Sequence, residues 1–146
     1  MKVALISCVS RKAEESKSKG VSAKDLYISA LFKKSWKYAI DILEVDKIYI
    51  LSAEHHLLKP DEEVLWYDKT LVKCKKKDLI EWSRIVLAQM EKENLDFEND
   101  EFYILAGSNY HKYLITDKFK NVCFPLQRYP IGLRLQFLTQ QIDSIK

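Results

Sequence analysis

The sequence has few of the residues that interrupt or crosslink a chain: three glycines, three prolines and three cysteines among 146 residues. So little Gly and Pro leaves little room for linkers or low-complexity segments. An odd number of cysteines without a Cys-x-x-Cys pair predicts reduced thiols, as in cytosolic proteins. The apolar runs fall well short of the ~20 residues that cross a bilayer, and Met1-Lys2 leads into a strand-like run rather than a signal peptide. We expect one cytoplasmic domain over residues 1–146, without a membrane partner.

The chain also has little excess of one sign of charge over the other. The formal net charge of +3 arises from 24 basic and 21 acidic residues, so the average field does not by itself indicate a polyanionic partner. The basic residues do cluster in two segments, which contain Arg11, Lys12, Lys17 and Lys19, and Lys73, Lys75, Lys76 and Lys77. Such clusters suit phosphate contacts, although solvated surface lysines are the simpler explanation.

Four short apolar runs are each typical of a buried strand, at residues 2–8, 47–53, 101–106 and 122–124. Between and after them lie segments with helical spacing of apolar residues. Strands that alternate with helices predict an α/β domain with right-handed crossovers. We expect a mostly parallel sheet of four strands, with room for further strands, and helices on both faces.

The helical segments have recognisable ends. Ser22 is placed to cap a long helix through about Leu43, and a second helix begins near Asp78. A short helix reaches about Ile115, and Pro130 starts a last, strongly periodic helix. Roughly twenty residues without a clear period separate the second strand from the second helix, and a connection of that length is usually functional.

Each predicted strand ends at small, hydroxylic, imidazole or basic residues. In a parallel sheet these ends share one edge, which is where such folds bind ligands. The segment from Ser7 to Lys12 supplies hydroxyls and cations for an anion, without the glycines of a P-loop. Gly107 allows close approach to the backbone. The candidate ligand-binding residues are Ser7, Cys8, Arg11, Lys12, Tyr27, Ser52, Tyr67, Gly107, Ser108, Tyr110 and Arg128.

Several of these residues also have simpler explanations. Cys8 suits a nucleophile if a base lies nearby, but a cysteine at a strand end is more often a packed apolar group. Ser108 or Asn109 suits the N-cap of the short helix. Tyr27 either points its hydroxyl into the edge or buries its ring. His111 is most simply a surface residue.

The segment from residue 52 to residue 70 is the richest in reactive groups. His55, Asp61 and Asp68 are candidate proton donors or acceptors, and Trp66 or Tyr67 can stack on a base. The alternative is an acidic surface loop with an aromatic anchor. Adjacent histidines on an extended chain point to opposite sides, and no metal-ligand spacing is present. We predict no metal and no cofactor.

A series of motifs runs through nearly the whole chain. They are Ser7-Cys8 with Arg11-Lys12, Ala23 with Leu26-Tyr27, Ser29 and Phe32, Leu51-Ser52-Ala53 with Leu57-Leu58 and Asp61, Tyr67-Asp68 with Thr70-Leu71, Leu105-Ala106-Gly107 with Tyr110, and Pro125-Leu126 with Ile131-Gly132. In order and spacing the chain resembles the family of small bacterial domains related to the peroxide stress protein YaaA. The resemblance implies an intracellular protein connected with DNA binding or protection under oxidative stress.

The chain departs from that family pattern at two places. His55-His56 stands where the pattern has Tyr-Gly, and Trp66-Tyr67 stands where it tends to have Pro-Tyr. Either the turn at residue 56 does not require a positive φ, or His56 adopts one at some cost.

Three functions remain open from the sequence. The first is a DNA- or nucleotide-associated domain that acts on a base or nucleotide. The second is an enzyme for a small phosphorylated or nucleoside-like metabolite with no polymer partner. The third is a non-catalytic interaction module. The sequence fixes neither the oligomeric state nor whether the protein is an enzyme.

Overall fold

A computed structural model of the protein describes residues 1–7, 18–27, 29–67, 69–72 and 74–144. Within them the strands are β1 (Lys2–Ser7), β2 (Val21–Ser22), β3 (Lys47–Ser52), β4 (His56–Leu58), β5 (Glu63–Val64), β6 (Glu101–Leu105) and β7 (Val122–Cys123). The helices are α1 (Ala23–Leu26), α2 (Ala30–Asp41), α3 (Lys76–Lys92), α4 (Ser108–His111) and α5 (Ile131–Asp143). The predicted α/β class is confirmed.

The main sheet has the strand order β4-β3-β1-β6-β7. β3, β1, β6 and β7 are parallel to one another, as predicted, and β4 is antiparallel to β3. The four predicted parallel strands are therefore present, and the sheet has five strands rather than four because β4 extends it. β4 has only three residues, too few to show the alternation that marks a strand in sequence.

β1 is the centre of the sheet. Its residues Val3, Ala4, Leu5 and Ile6 are at most 1% exposed, so both faces of this strand are covered. A strand covered on both faces reads as a continuous apolar run, which is why β1 was recognisable in the sequence.

The predicted long helix from Ser22 to Leu43 is wrong, because the chain forms two helices there. Tyr27 has an extended backbone, and α2 begins afresh after Ser29, whose side chain accepts a hydrogen bond from the Phe32 amide at 3.2 Å. Ser22 precedes α1 but makes no capping hydrogen bond through its side chain. The break lets the Tyr27 ring turn into the core, where it is 1% exposed.

The connection that the sequence predicted to lack a regular structure contains β4 and β5. β5 pairs antiparallel with β2, with Val21 opposite Val64. The start of α1 is tied to the same connection, since the Ala23 amide donates to the Glu62 carbonyl at 2.8 Å. This connection therefore contributes to the fold as well as to the sheet edge.

The helices form two groups. α2 contacts α5 and β1, whereas α3 contacts α4 and β4. The Gln89 side chain of α3 accepts a hydrogen bond from the Leu57 amide at 2.9 Å, which satisfies a donor of the edge strand. That helices cover both faces of the whole sheet stays a prediction. None of the described helices has the length and apolar character needed to span a membrane.

Candidate ligand site at the carboxyl edge of the sheet

The carboxyl ends of β3, β1 and β6 lie side by side along one edge of the sheet. Ser7 at the end of β1 is level with Leu51 of β3, and Ile6 is level with Leu105 of β6. Among the parallel strands the order in sequence is second, first, third, fourth, so the direction of winding reverses between β1 and β6. Such a switch point is where open α/β sheets bind ligands.

The end of β3 carries a cluster of buried hydroxyl groups. Ser52 is fully buried, and its Oγ donates a hydrogen bond to the Tyr67 Oη at 2.9 Å. The Tyr67 and Tyr27 hydroxyl oxygens are 2.6 Å apart and share a hydrogen bond. The Ser52 Oγ also accepts the His55 amide at 3.0 Å. Ser52, Tyr27 and Tyr67 thus join β3, the end of α1 and the 65–72 connection.

Aromatic rings pack around these hydroxyls. The Trp82 indole of α3 donates to the Ser52 carbonyl at 2.9 Å. Tyr110 of α4 meets the Trp82 ring edge-on, with centroids 5.6 Å apart, and His55 meets the Tyr67 ring edge-on at 5.3 Å. We call this group the aromatic–hydroxyl cluster; it consists of Ser52, Tyr27, Tyr67, Trp82, Tyr110, His55 and His56.

The two histidines have different partners. The His56 ring stacks on the Trp82 ring at an interplanar angle of 27°, with centroids 6.4 Å apart, while His55 meets the Tyr67 ring edge-on. His56 has φ of 66°. The turn at residue 56 therefore does have a positive φ, and the histidine adopts this left-handed conformation at some cost in energy. Burial, followed by the charge of Lys69, lowers the pKa of His56.

A small cavity lies at the switch point between β1 and β6. It has a volume of about 30 Å³. Ser7, Ser35, Gly107, Leu126 and Arg134 line it, together with apolar side chains of α2 and β6. Gly107 has an ordinary negative φ, and a Cβ added there would meet no atom of the described residues within 4 Å. The backbone at Gly107 is therefore open to a neighbouring group.

Arg134 of α5 supplies the positive charge of this cavity. It is partly buried, and its Nε donates to the Tyr129 carbonyl at 3.1 Å. Arg134 does not stand out in the sequence, because an arginine on an amphipathic helix resembles part of a solvated face. Ser35, 2% exposed on α2, was missed for a similar reason.

His111 is not the surface residue that the sequence suggested. It is half-buried at the end of α4, with its ring 4.9 Å from that of Phe124. Burial, followed by the positive charge of Arg134, lowers the pKa of His111. The His111 imidazole therefore lies within the electrostatic range of the cavity arginine.

The structure brings some of the predicted residues together and separates others. Tyr27, Ser52, Tyr67, Tyr110 and His55 lie in the aromatic–hydroxyl cluster, and Ser7 and Gly107 line the cavity.

The remaining predicted residues lie elsewhere or outside the described chain. Asp61 lies in neither group: its side chain is 89% exposed and pairs with Lys24 at 3.6 Å. Ser108 is exposed in the first turn of α4, where Gly107 is the N-cap, so the predicted capping by Ser108 or Asn109 is wrong. Arg128 is exposed beside the Tyr129 ring. Cys8, Arg11, Lys12 and Asp68 lie outside the described residues.

The described part of the chain contains no group of side chains arranged to ligate a metal ion. No group of three or more His, Cys, Asp or Glu residues there is placed to hold an ion. Cys74 and Cys123 are free thiols. The described residues at the edge supply hydroxyls, imidazoles and a guanidinium.

Comparison with known proteins identifies the chain at the level of its family. No curated protein and no solved structure matches it. Residues 3–140 match a family described as a family of unknown function, DUF6884, and this span covers β1 from Val3 onwards, the other described strands, and α5 as far as Gln140. The chain belongs to the DUF6884 family.

Proposed function

We propose that the protein binds a nucleotide or a nucleic-acid strand at the carboxyl edge of its sheet, and that it is related to the YaaA-like domains that its motifs resemble. The observation that carries this proposal is the cavity with Arg134 at the switch point between β1 and β6. A guanidinium at that position is suited to a phosphate group.

The sequence left open whether Trp66 or Tyr67 stacks on a base. Tyr67 is 8% exposed and is hydrogen-bonded to Ser52, so its ring is not presented to a base. Trp66 is 39% exposed in the same connection. We therefore assign base stacking to Trp66, because stacking requires an accessible ring face.

The lysines at the start of α3 supply charge for a longer nucleic acid. Lys75, Lys76 and Lys77 are exposed. They lie toward the carboxyl edge, because Trp82, less than two turns further along α3, bonds to the end of β3. Arg11, Lys12 and Arg128 remain proposed phosphate contacts from their position in the sequence. His55 and Asp68 remain the proposed proton-transfer groups, whereas the ion pair and exposure of Asp61 argue against a reaction at that carboxylate.

The proposal is tested by binding of fluorescent single-stranded DNA over a range of salt concentrations. Phosphate contacts predict an affinity that falls steeply as salt rises. Glu substitution of Lys75, Lys76 and Lys77 together should abolish binding. The matched control is Glu substitution of Lys47, Lys92 and Lys120, three exposed lysines toward the opposite edge of the sheet. Equal loss in both triple variants would show only a general charge effect and would contradict the proposed location.

A second function is favoured by the size of the cavity. A volume of about 30 Å³ with one arginine suits a single anionic group better than a polymer backbone. An enzyme for a small phosphorylated metabolite would keep its affinity for a nucleoside monophosphate when Lys75, Lys76 and Lys77 are reversed, and would show no binding to DNA. Absence of both kinds of binding would favour the non-catalytic interaction module.

A further inference from the structure

Arg134 is a partly buried cation that no acidic side chain of the described chain neutralises. The ion pairs of the described residues involve the chain's amino group, Lys24, Lys37, Lys59, Arg84 and Lys118. Arg134 is absent from them, and the Tyr129 carbonyl accepts its Nε. A half-buried guanidinium at a cavity wall, without a carboxylate partner among the described residues, is suited to pair with an anion, because an opposite charge nearby stabilises a charge that water reaches only in part.

The cavity also provides neutral hydrogen-bond donors. Ser7 and Ser35 line the same space as Arg134, and each hydroxyl can donate to an oxygen atom. The open backbone at Gly107 forms another part of the wall. Residues with hydroxyl and guanidinium groups that line one small space suit an oxyanion, since each of its oxygens accepts more than one hydrogen bond.

The position of Arg134 is fixed before any ligand arrives. The Tyr129 amide donates to the Leu126 carbonyl at 3.1 Å, which closes the turn ahead of α5. The Tyr129 ring stacks on Phe137, with centroids 4.5 Å apart, and Phe137 packs against Tyr38 of α2. The carbonyl that holds Arg134 therefore belongs to a packed turn, which reduces the entropy lost when an anion binds.

We infer that the cavity between the ends of β1 and β6 is an oxyanion site, in which Arg134, Ser7 and Ser35 bind the terminal phosphate or carboxylate group of a small ligand. The inference rests on the proposed function for the identity of the whole ligand, since a nucleotide carries such a group.

The size of the cavity defines how the ligand lies. The cavity of about 30 Å³ is far smaller than pockets that enclose whole ligands, which measure about 300–1,000 Å³. Only the anionic end of the ligand fits between Ser7 and Arg134. Its remaining part lies outside the cavity, along the carboxyl edge.

The test is a titration of the isotopically labelled full-length protein with sodium phosphate and, separately, sodium acetate, followed by amide NMR at constant ionic strength. We expect saturable shifts at Ser7, Ala106 and Gly107 for at least one anion, and the tighter anion identifies the source of the oxyanion. Bound anion should also raise the pKa of His111, since it offsets the charge of Arg134.

Variants separate specific binding from general attraction of anions. Arg134→Gln should weaken binding of the preferred anion at least about tenfold, because a hydrogen bond to a charged group is lost. Arg134→Lys keeps the positive charge but lacks the planar guanidinium, so its affinity for the anion should lie between those of the unchanged protein and Arg134→Gln. Arg84→Gln is the matched control, since Arg84 is an exposed arginine paired with Glu81 on α3, and it should leave the affinity unchanged.

The inference is overturned if neither anion gives saturable shifts at the cavity, or if Arg134→Gln, checked by its amide spectrum to be folded, binds as the unchanged protein does. The outcome is separable from that of the proposed function. DNA or nucleotide binding that survives Arg134→Gln would remove the oxyanion site alone. Anion binding that depends on Arg134, without any nucleotide binding, would remove the nucleotide proposal alone.

Discussion

Two parts of one sheet edge differ in what fills them. At the end of β3 the aromatic–hydroxyl cluster occupies the edge, and Ser52, Tyr27 and Tyr67 satisfy one another by hydrogen bonds. At the ends of β1 and β6 a space remains, and its guanidinium lacks a carboxylate partner among the described residues. The same topology thus produces a structural region and a region able to bind a ligand.

The two regions differ in the size of their side chains and in whether their polar groups have hydrogen-bond or ion-pair partners, rather than in residue type. Both regions contain serines and aromatic rings, but the large rings of Tyr67 and Trp82 close one of them. A polar group that already has a partner in the protein gains little from a ligand, whereas an unpaired one gains much. The following experiments test whether the two regions are independent.

The largest expected effect is on stability at the filled region. Trp82→Ala removes a ring that is 5% exposed and its hydrogen bond to Ser52. The free energy of unfolding should fall by about 3–5 kcal/mol, measured by urea denaturation. Trp36→Ala, at a partly buried ring that packs on Phe32, is the control and should cost less. Equal costs for the two variants would contradict the structural role of the cluster.

A smaller effect is expected from the hydroxyl groups of the cluster. Tyr67→Phe and Ser52→Ala should each lower the free energy of unfolding by about 1–2 kcal/mol. Because the two groups share a hydrogen bond of 2.9 Å, the double variant should cost less than the sum of the single variants. Strict additivity in the double-mutant cycle would show that this bond contributes nothing, and anion affinity at the cavity should be unchanged throughout.

The left-handed backbone at His56 gives an effect of similar or smaller size. His56→Gly and His56→Ala both remove the ring that stacks on Trp82. Only glycine adopts φ of 66° without strain, so the glycine variant should be more stable than the alanine variant by about 1 kcal/mol. An alanine variant that is equally or more stable would contradict this backbone conformation.

The pH dependence of stability compares the two regions directly, because His56 lies in one and His111 near the other. Both have a lowered pKa in the folded protein, so the unfolded chain takes up protons first. Stability should be full above the unfolded pKa of about 6.5 and decline as pH falls below it. His111→Gln and His56→Gln, followed by thermal unfolding, should each reduce the difference between pH 7.5 and pH 5.5. An unchanged difference would contradict the assigned burial.

The sequence predicts the four parallel strands and the edge that they share. β1 and β3 are apolar runs covered by neighbouring elements, so their composition alone marks them. The prediction that the Ser7, Ser52 and Gly107 junctions lie along one edge needed only parallel pairing, which the structure shows.

The features that the sequence did not predict depend on contacts between residues distant in sequence. The break after Tyr27 goes with a hydrogen bond between Tyr27 and Tyr67, a tertiary contact that the helical pattern of apolar residues does not reveal. β4 is too short to be periodic. Arg134 is distinguished from a surface arginine only by the cavity beside it and by the absence of an acidic partner in the described chain, neither of which is visible in one sequence.

Amide shifts recorded while a nucleoside monophosphate is added show whether the ligand binds at the unfilled part of the edge. The shifts should concentrate at Ser7, Ala106, Gly107 and the first turn of α5, and they should be weak at Ser52 and the start of β4. Shifts that concentrate on the aromatic–hydroxyl cluster, or on the opposite edge of the sheet, would contradict binding at the unfilled part.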